Sequence, residues 1–286
     1  MNAASMNLVE ITKNYYDSPD ADNFYFHVWG GDHIHIGIYD DHPDNIRNAS
    51  HRTVETMASR VPWLGATHRV LDLGAGYGGA ARYLASTRGC RVTALNLSAT
   101  ENARNLVMSA EAGLSDLVEI VEGSYEAVPA EAETYDVVWS QDAILHSGRK
   151  ELIFREAARV LKPGGEFIFT DPMESGRGSR EELKPVLDRI HLSAMGSFAD
   201  YEALAERAGL ATLALIDLSP QLPIHYARVR DELRAKREDL SRDVSPAFVD
   251  RMLSGLDHWV SAGERGNLAW GILHFRKCAT SPSASS

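Results

Sequence analysis

The stretch Val70–Ala80, VLDLGAGYGGA, decides the fold. An apolar strand enclosing Asp72 runs into three alternate glycines, Gly74, Gly76 and Gly78. Glycine has no Cβ, so the turn after a strand folds tightly and approaches a ligand, while the next helix presents free N–H groups. Taken alone, the run fits two readings: a docking place for a nucleotide-like cofactor, or an ordinary glycine-rich turn of an unrelated α/β protein.

The downstream segments bear on that choice. Short apolar runs near Arg69–Leu73, Arg91–Asn96, Val118–Glu122, Tyr135–Ser140 and Glu166–Thr170 alternate with helical patterns at Ala80–Arg88, Ala99–Ala112, Glu151–Leu161 and Asp200–Ala208. A further helix, Ile46–Val61, precedes them. Such alternation predicts a mostly parallel sheet with helices on both faces. Ligands of open sheets bind outside the carboxyl ends of the strands, which selects Gly74, Asn96, Ser124, Gln141 and Asp171. Lys162–Gly165, KPGG, predicts the turn into the fifth strand. Ala211–Leu218 and Leu268–Phe275 read as two late antiparallel strands, separated by helical blocks Ala227–Ser241 and Pro246–Ala262 from which a substrate cover could be built. The expected organisation is an N-terminal segment over residues 1–66, a ligand-binding core over 67–173, a cover with the last strands over 174–277, and a Ser-rich disordered tail over 278–286.

With 286 residues the chain suffices for one large α/β domain with insertions. Forty acidic against 29 basic residues give a net charge of −11, which repels phosphate backbones and argues against nucleic acid as a partner. Cys90 and Cys278 lie far apart without CxxC spacing, as expected of free thiols in a reducing compartment. No apolar block has the length of a signal peptide or a membrane span, so the expectation is a cytoplasmic protein without membrane attachment. The oligomeric state is not legible.

Before the sheet begins, Asn14–Tyr39 gathers Tyr15, Tyr16, Phe24, Tyr25, Phe26, Trp29 and Tyr39. This is too aromatic for a disordered tail, and it reads equally as core packing or as a lid lining a pocket. Asp32, His33 and His35 lack a second conforming histidine pair, so no metal is expected.

DLGAGYGG resembles the first motif of class I methyltransferases, and further segments match that pattern in order and spacing. These are VTALNLSATENARN with Asn96 where many such enzymes carry an acidic residue, GSYEAVP at 123–129, YDVVWSQDAILHS at 135–147 and ARVLKPGGEFIFTDPM at 158–173. With SQDAILHS, TDPM, LDRIHLSAMGS, LDHW and LAWGILHFRK, nearly the whole chain from Asn14 to Lys277 resembles the sarcosine/dimethylglycine N-methyltransferases. The resemblance implies a Rossmann-like class I fold with a seven-stranded, mostly parallel sheet, an N-terminal lid and a C-terminal helical insertion. It also implies S-adenosylmethionine as cofactor and a small amino acid as substrate. Gly74 and Gly76 would lie against the methionine part, with Asp72 ordering the loop and engaging the cofactor amino group. Asn96 and Leu97 would meet the ribose and adenine, Ser124 and Tyr125 the adenine edge, and Gln141 the sulfonium side.

Methyl transfer to nitrogen needs a free lone pair, and an alkylamine with pKa about 10.4 is only about a thousandth neutral near pH 7.4. A neutral histidine can accept the proton, and His146 is the candidate, paired by the resemblance with Tyr16 in a latch; its alternative role is to cap the following helix. Arg189, with Tyr226 second, is the candidate anchor for a substrate carboxylate, unless it forms a surface ion pair. Ring faces of Tyr25, Trp29 and Trp270 are candidates to steady a methylated ammonium. Competing readings are a phosphoethanolamine or sugar O-methyltransferase and a noncatalytic cofactor-binding regulator.

Overall fold

The computed structural model describes residues 3–39, 44–190 and 192–278. Its strands are β1 (Arg69–Leu73), β2 (Arg91–Asn96), β3 (Val118–Glu122), β4 (Tyr135–Gln141), β5 (Leu161–Glu174), β6 (Leu210–Asp217) and β7 (Leu268–Lys277). They form one seven-stranded sheet in the order β3-β2-β1-β4-β5-β7-β6. Strands β1 to β5 pair in parallel, and β7 runs antiparallel between β5 and β6. The Rossmann-like class I fold expected from the sequence is therefore present, with the order reversing beside β1 so that a crevice opens beyond the carboxyl ends of β1 and β4.

The strands are apolar on both faces because both are covered, and their side chains alternate between two cores. Leu71, Leu73, Val138, Phe167, Phe169 and Phe275 point into one, packed by Phe154 and Tyr201 of α6 (Lys150–Val160) and α8 (Phe198–Arg207). Val70, Val137, Trp139, Ile168 and Ile272 point into the other, packed by α3 (Ile46–Ala58) and α4 (Gly79–Arg88). A helix after β2, α5 (Ala99–Glu111), completes the core layers.

Two elements differ from the sequence expectation. KPGG does not simply separate helix from strand: Leu161 already pairs with Tyr135, and the register resumes at Val137 with Glu166, so the prolyl-glycyl segment is absorbed as a bulge within β5. The helical insertion begins earlier than Ala227, as α9 (Gln221–Ala235), because Pro223 falls in the first turn, where a missing N–H breaks no helix bond. A short α10 (Arg237–Leu240) and a long α11 (Pro246–Glu264) follow. Cys90 is buried and Cys278 exposed, and both are free thiols. No helix among the described residues is long and apolar enough to cross a membrane. The tail expected to be disordered lies, from residue 279 on, outside the described residues.

The N-terminal segment serves both roles open to it. It forms α1 (Ala3–Tyr16), α2 (Pro19–Val28) and an extended stretch, residues 30–39. Phe24, Tyr25, Val28 and Trp29 are core residues against Val229, Phe248 and Leu256 of α9 and α11, whereas Lys13 and Tyr16 reach the crevice. Polar ties fix α1 and α2 to the end of β2 and to α5. The Asp17 carboxylate accepts from Ser98 Oγ at 2.7 Å, and Lys13 Nζ donates to Leu97 O at 3.1 Å. Arg104 grips Asp22 with two donors at 2.7 and 2.6 Å, and Tyr77 OH donates to the same carboxylate at 3.0 Å. The Arg104 guanidinium also lies 4.2 Å over the Phe26 ring.

Removing the Asp22 carboxylate leaves the part-buried Arg104 guanidinium without its two-oxygen acceptor, while Tyr77 OH keeps the Asp22 carbonyl at 2.9 Å. Asp22→Ala is expected to cost about 3 kcal/mol, in the range for breaking a buried pair from one side, read as a lower urea midpoint at unchanged m-value.

Candidate active site

Beyond β1, β2 and β4 lies a cleft partly open to solvent, at the strand ends where open sheets hold their ligands. Its floor is the turn after β1. Gly74 has φ +73°, and a Cβ there would stand 2.5 Å from Ala143 Cβ, so this glycine lets the loop after β4 close against the turn. Gly76, with φ +52°, faces Ile34 of the extended N-terminal stretch across ordinary contact distance. Asp72, Asn96, Leu97, Ser98, Glu101, Tyr125, Gln141, Asp142 and His146 line the cleft, and Lys13, Tyr16, Asp32, His33 and His35 close it from the N-terminal side.

Carboxylates dominate one side. Burial alone pushes Asp72 up to about 7, and its Oδ2 has no partner. Burial likewise pushes Glu101 to about 7, against the pull of Asn96 Nδ2, which donates to it at 2.8 Å. Asp142 is pushed by burial to about 6 although its carboxylate accepts from Ile36 N at 2.6 Å and Trp270 Nε1 at 2.8 Å. Gln141 Nε2 is also buried and unpaired within the lining, its Oε1 being taken by Trp139. Buried polar atoms without partners are costly, and their convergence on one cavity marks the place of a polar, cationic ligand. A nucleoside carrying a cationic amino-acid tail fits this lining. Asp72 and Gln141 offer free acceptor and donor atoms for the tail, and Glu101 offers a carboxylate where a ribose diol would lie.

The other side is basic and aromatic. Tyr16 OH and His146 Nε2 are 3.2 Å apart. Burial lowers His146 to about 4, helped by the charges of Lys150 and Arg189, so its imidazole is neutral at pH 7. Behind this pair, Tyr15 OH and Tyr25 OH lie 3.3 Å apart, and the Tyr16 and Tyr25 rings are 5.6 Å centre to centre. Arg189, at the end of α7 (Arg180–Arg189), lines with Tyr15 and Met252 a neighbouring hollow rather than the cleft itself, and its charge pulls the Tyr15, Tyr25 and Tyr226 phenols downward against burial. Its guanidinium contacts Met252 Sδ at 3.8 Å and has no carboxylate partner among the described residues. Gly255 of α11 makes room for it, since a Cβ there would stand 2.5 Å from Arg189 Cδ.

Of the residues singled out in the sequence, Asp72, Gly74, Gly76, Asn96, Leu97, Tyr125, Gln141, His146 and Tyr16 converge on the cleft. Ser124 does not line it; its Oγ accepts from Glu126 N at 3.2 Å. The rings of Trp29 and Trp270 lie in the packing: Trp29 Nε1 donates to His35 O, and Trp270 holds Asp142. The Tyr226 ring lies tilted against Trp259, 4.8 Å centre to centre, outside the cleft lining. His146 closes a three-residue 3-10 turn, with its side chain turned to Tyr16. Glu101, Asp142, Lys13, His33 and His35 were not anticipated as lining residues. Glu101 carries the one usable signal, an acid five residues beyond the strand end whose usual acid is replaced by Asn96.

Fold and cleft together define a class I methyltransferase, and a methyltransferase domain family matches residues 71–169. The chain is 49% identical over 94% of its length to a sarcosine/dimethylglycine N-methyltransferase of Halorhodospira halochloris, covering 96% of that protein. It is 46% identical over 93% of its length to a sarcosine/dimethylglycine N-methyltransferase of Aphanothece halophytica, again covering 96% of the relative. A solved Galdieria sulphuraria structure, described as that of a candidate sarcosine dimethylglycine methyltransferase, superposes with TM-score 0.88 at 43% identity, over 93% of this chain and all of the other. The chain belongs to the sarcosine/dimethylglycine N-methyltransferase family, and is an enzyme of the methyl-transferring class.

A cation entering between Asp72, Glu101 and Asp142 stabilises their ionised forms and lowers their pKa values from about 7, 7 and 6. Binding of S-adenosylmethionine is therefore expected to release about one to two protons per site at pH 6 and almost none above pH 8. Calorimetric titration in buffers of different ionisation enthalpy measures this, and Asp72→Asn should reduce the release at pH 6 by about one proton.

Proposed function

We propose that the chain methylates the nitrogen of sarcosine and dimethylglycine with S-adenosylmethionine as donor, giving glycine betaine. The observation that carries this reading is the neutral Tyr16–His146 pair with a carboxylate-free Arg189 nearby, an arrangement suited to an amine that carries a carboxylate. A bound S-adenosylmethionine supplies an electrophilic methyl on a sulfonium. The chain's own part is positioning and proton control, and positioning can supply roughly 7 to 11 kcal/mol in favourable cases.

On this reading Arg189 takes the substrate carboxylate through its parallel N–H donors, with Tyr226 beside it. The tyrosine group, Tyr15, Tyr16 and Tyr25, excludes water and offers ring faces and hydroxyls to the amine. The N–H proton must leave before the lone pair forms the new N–C bond. Its acceptor is His146 Nε2, directly or through Tyr16 OH, since the two atoms are in hydrogen-bond contact. His146 is a weak base in this setting, but the same dry surroundings and the same cations also disfavour the ammonium form of the substrate. The two pKa values are drawn together, so the transfer is far less uphill than in water. In the cofactor half, Asp72 would hold the amino group, Glu101 with Asn96 the ribose, and Tyr125 the adenine side.

Because His146 stays neutral above about pH 5, titration of the amine governs the rate at neutral pH. Mass spectrometry of the purified chain with the donor is expected to show betaine from dimethylglycine and stepwise methylation of sarcosine, and no product from phosphoethanolamine; absence of betaine refutes the assignment. For dimethylglycine, kcat/KM is expected to rise about tenfold per pH unit between pH 6 and 8. Arg189→Leu is expected to raise KM about 30-fold or more with donor affinity unchanged, as the loss of a charge-assisted anchor requires.

A further inference from the structure

Beneath the loop that carries His146 lie two charged side chains, Lys150 and Asp171, each bonded to the backbone of that loop and neither used by the chemistry above. Lys150 is the first residue of α6, where the helix dipole and free amides disfavour a cation. Its side chain folds back from the helix, and Nζ donates to Ser147 O at 2.8 Å and Leu145 O at 3.2 Å. Asp171, fully buried within β5, accepts from Leu145 N at 3.1 Å and from Tyr201 OH. Leu145 is thus held by side chains at both its N–H and its C=O, and Ser147 at its C=O, with His146 between them. Ser147 Oγ adds a bond of 2.6 Å to Glu126, which is paired with Arg149. A three-residue 3-10 turn cannot satisfy its own backbone, so these side chains determine where the turn stands.

We propose that Lys150 and Asp171 are positioning residues for His146, gripping the turn from its two sides so that the imidazole meets Tyr16. The inference rests on His146 being the proton acceptor. Neither helix stability nor solvation accounts for a lysine in this place. Burial presses the Lys150 ammonium toward its neutral form and the Asp171 carboxyl toward its protonated form, and each charge opposes that change in the other. The titratable and charged groups around His146 are Tyr16 from α1, Tyr125 and Glu126 from the loop after β3, Asp142 on its own loop, Lys150 from α6, Arg189 from α7 and Asp171 beyond Leu145. Lys150 and Arg189 are the cations that bear on the imidazole, and both hold it in the neutral form.

The test compares Lys150→Met, Lys150→Arg, Asp171→Asn and His146→Gln in the full chain, reading urea midpoint, donor affinity, kcat and KM for dimethylglycine, and the NMR titration of the His146 ring. The Met variant is expected to lose about tenfold or more in kcat with KM and donor affinity within about threefold, as displacement of a catalytic group without loss of binding predicts. Its His146 ring should titrate higher by about one pH unit, because a nearby cation is gone. Arg, which keeps the charge, should restore most of kcat and the low titration. Asp171→Asn keeps an acceptor for Leu145 N–H but removes a charge that acts on Lys150; a fall in kcat of about threefold or more is expected, and it carries the test should the Met variant not fold. A lower urea midpoint with unchanged kcat and unchanged His146 titration overturns the proposal. Loss of kcat in His146→Gln alongside full kcat in the Lys150 and Asp171 variants overturns this inference alone. Full kcat in His146→Gln overturns both this inference and the reading it rests on.

Discussion

The Asp142 carboxylate is shared by three remote stretches of chain, and the geometry of the cleft depends on it. One oxygen takes Ile36 N–H from the N-terminal stretch, the other takes the indole N–H of Trp270 from β7, and the residue itself begins the loop after β4. Its backbone N–H donates to Thr170 O at 2.9 Å, which fixes the peptide as firmly as the side chain. These bonds hold Asp142 at φ +52°, a left-handed conformation that costs a non-glycine residue on the order of 1 kcal/mol or more. Strain of that kind persists only where surroundings over-determine it. Here the return is that the N-terminal stretch, the loop after β4 and the last strand are registered to one point, and His146 follows four residues later on the loop so fixed. Gly74 completes the arrangement from below, because only a residue without Cβ lets Ala143 settle on the turn after β1.

How far this was legible follows from which signals are local. The glycine run, the apolar strands and the rule that ligands sit at strand ends are local, and they located Asp72, Gly74, Asn96, Gln141 and the His146 loop. Glu101 reads in sequence as an acid in the first turn of a helix, a place where carboxylates are common for dipole reasons alone; only the close approach of α1 to α5 turns it into a buried cleft residue. Ser124 shows the converse. It follows a strand end as the rule requires, yet its hydroxyl bonds the backbone of its own turn. The aromatic run at the N-terminus has no period that separates rings facing the cleft from rings facing the helical insertion, and α9 and α11, far along the chain, make the division. Lys150 was invisible because its partners, Leu145 O and Ser147 O, belong to a turn whose place becomes plain only when Asp171 of β5 takes the Leu145 N–H from the other side.

The distribution of charge gives the cleft a direction. Three carboxylates, Asp72, Glu101 and Asp142, stand toward the turn after β1 and the end of β2, all driven toward neutrality by burial. Two cations, Lys150 and Arg189, stand toward α6 and α7, and they depress His146 between them. In a low-dielectric cavity such a separation acts strongly on any ligand with its own charges. Under the proposed function, a sulfonium would be favoured at the carboxylate end and a substrate carboxylate toward Arg189, with the amine between them. That order would suit an in-line transfer, and it would come from fixed groups before either ligand arrives. The same field bears on the proton problem: on the proposed reading, Arg189 at the carboxylate and Lys150 near His146 would also make a second positive charge on the adjacent nitrogen unfavourable. One arrangement would thus select the substrate by its anion and prepare its nitrogen as a neutral lone pair.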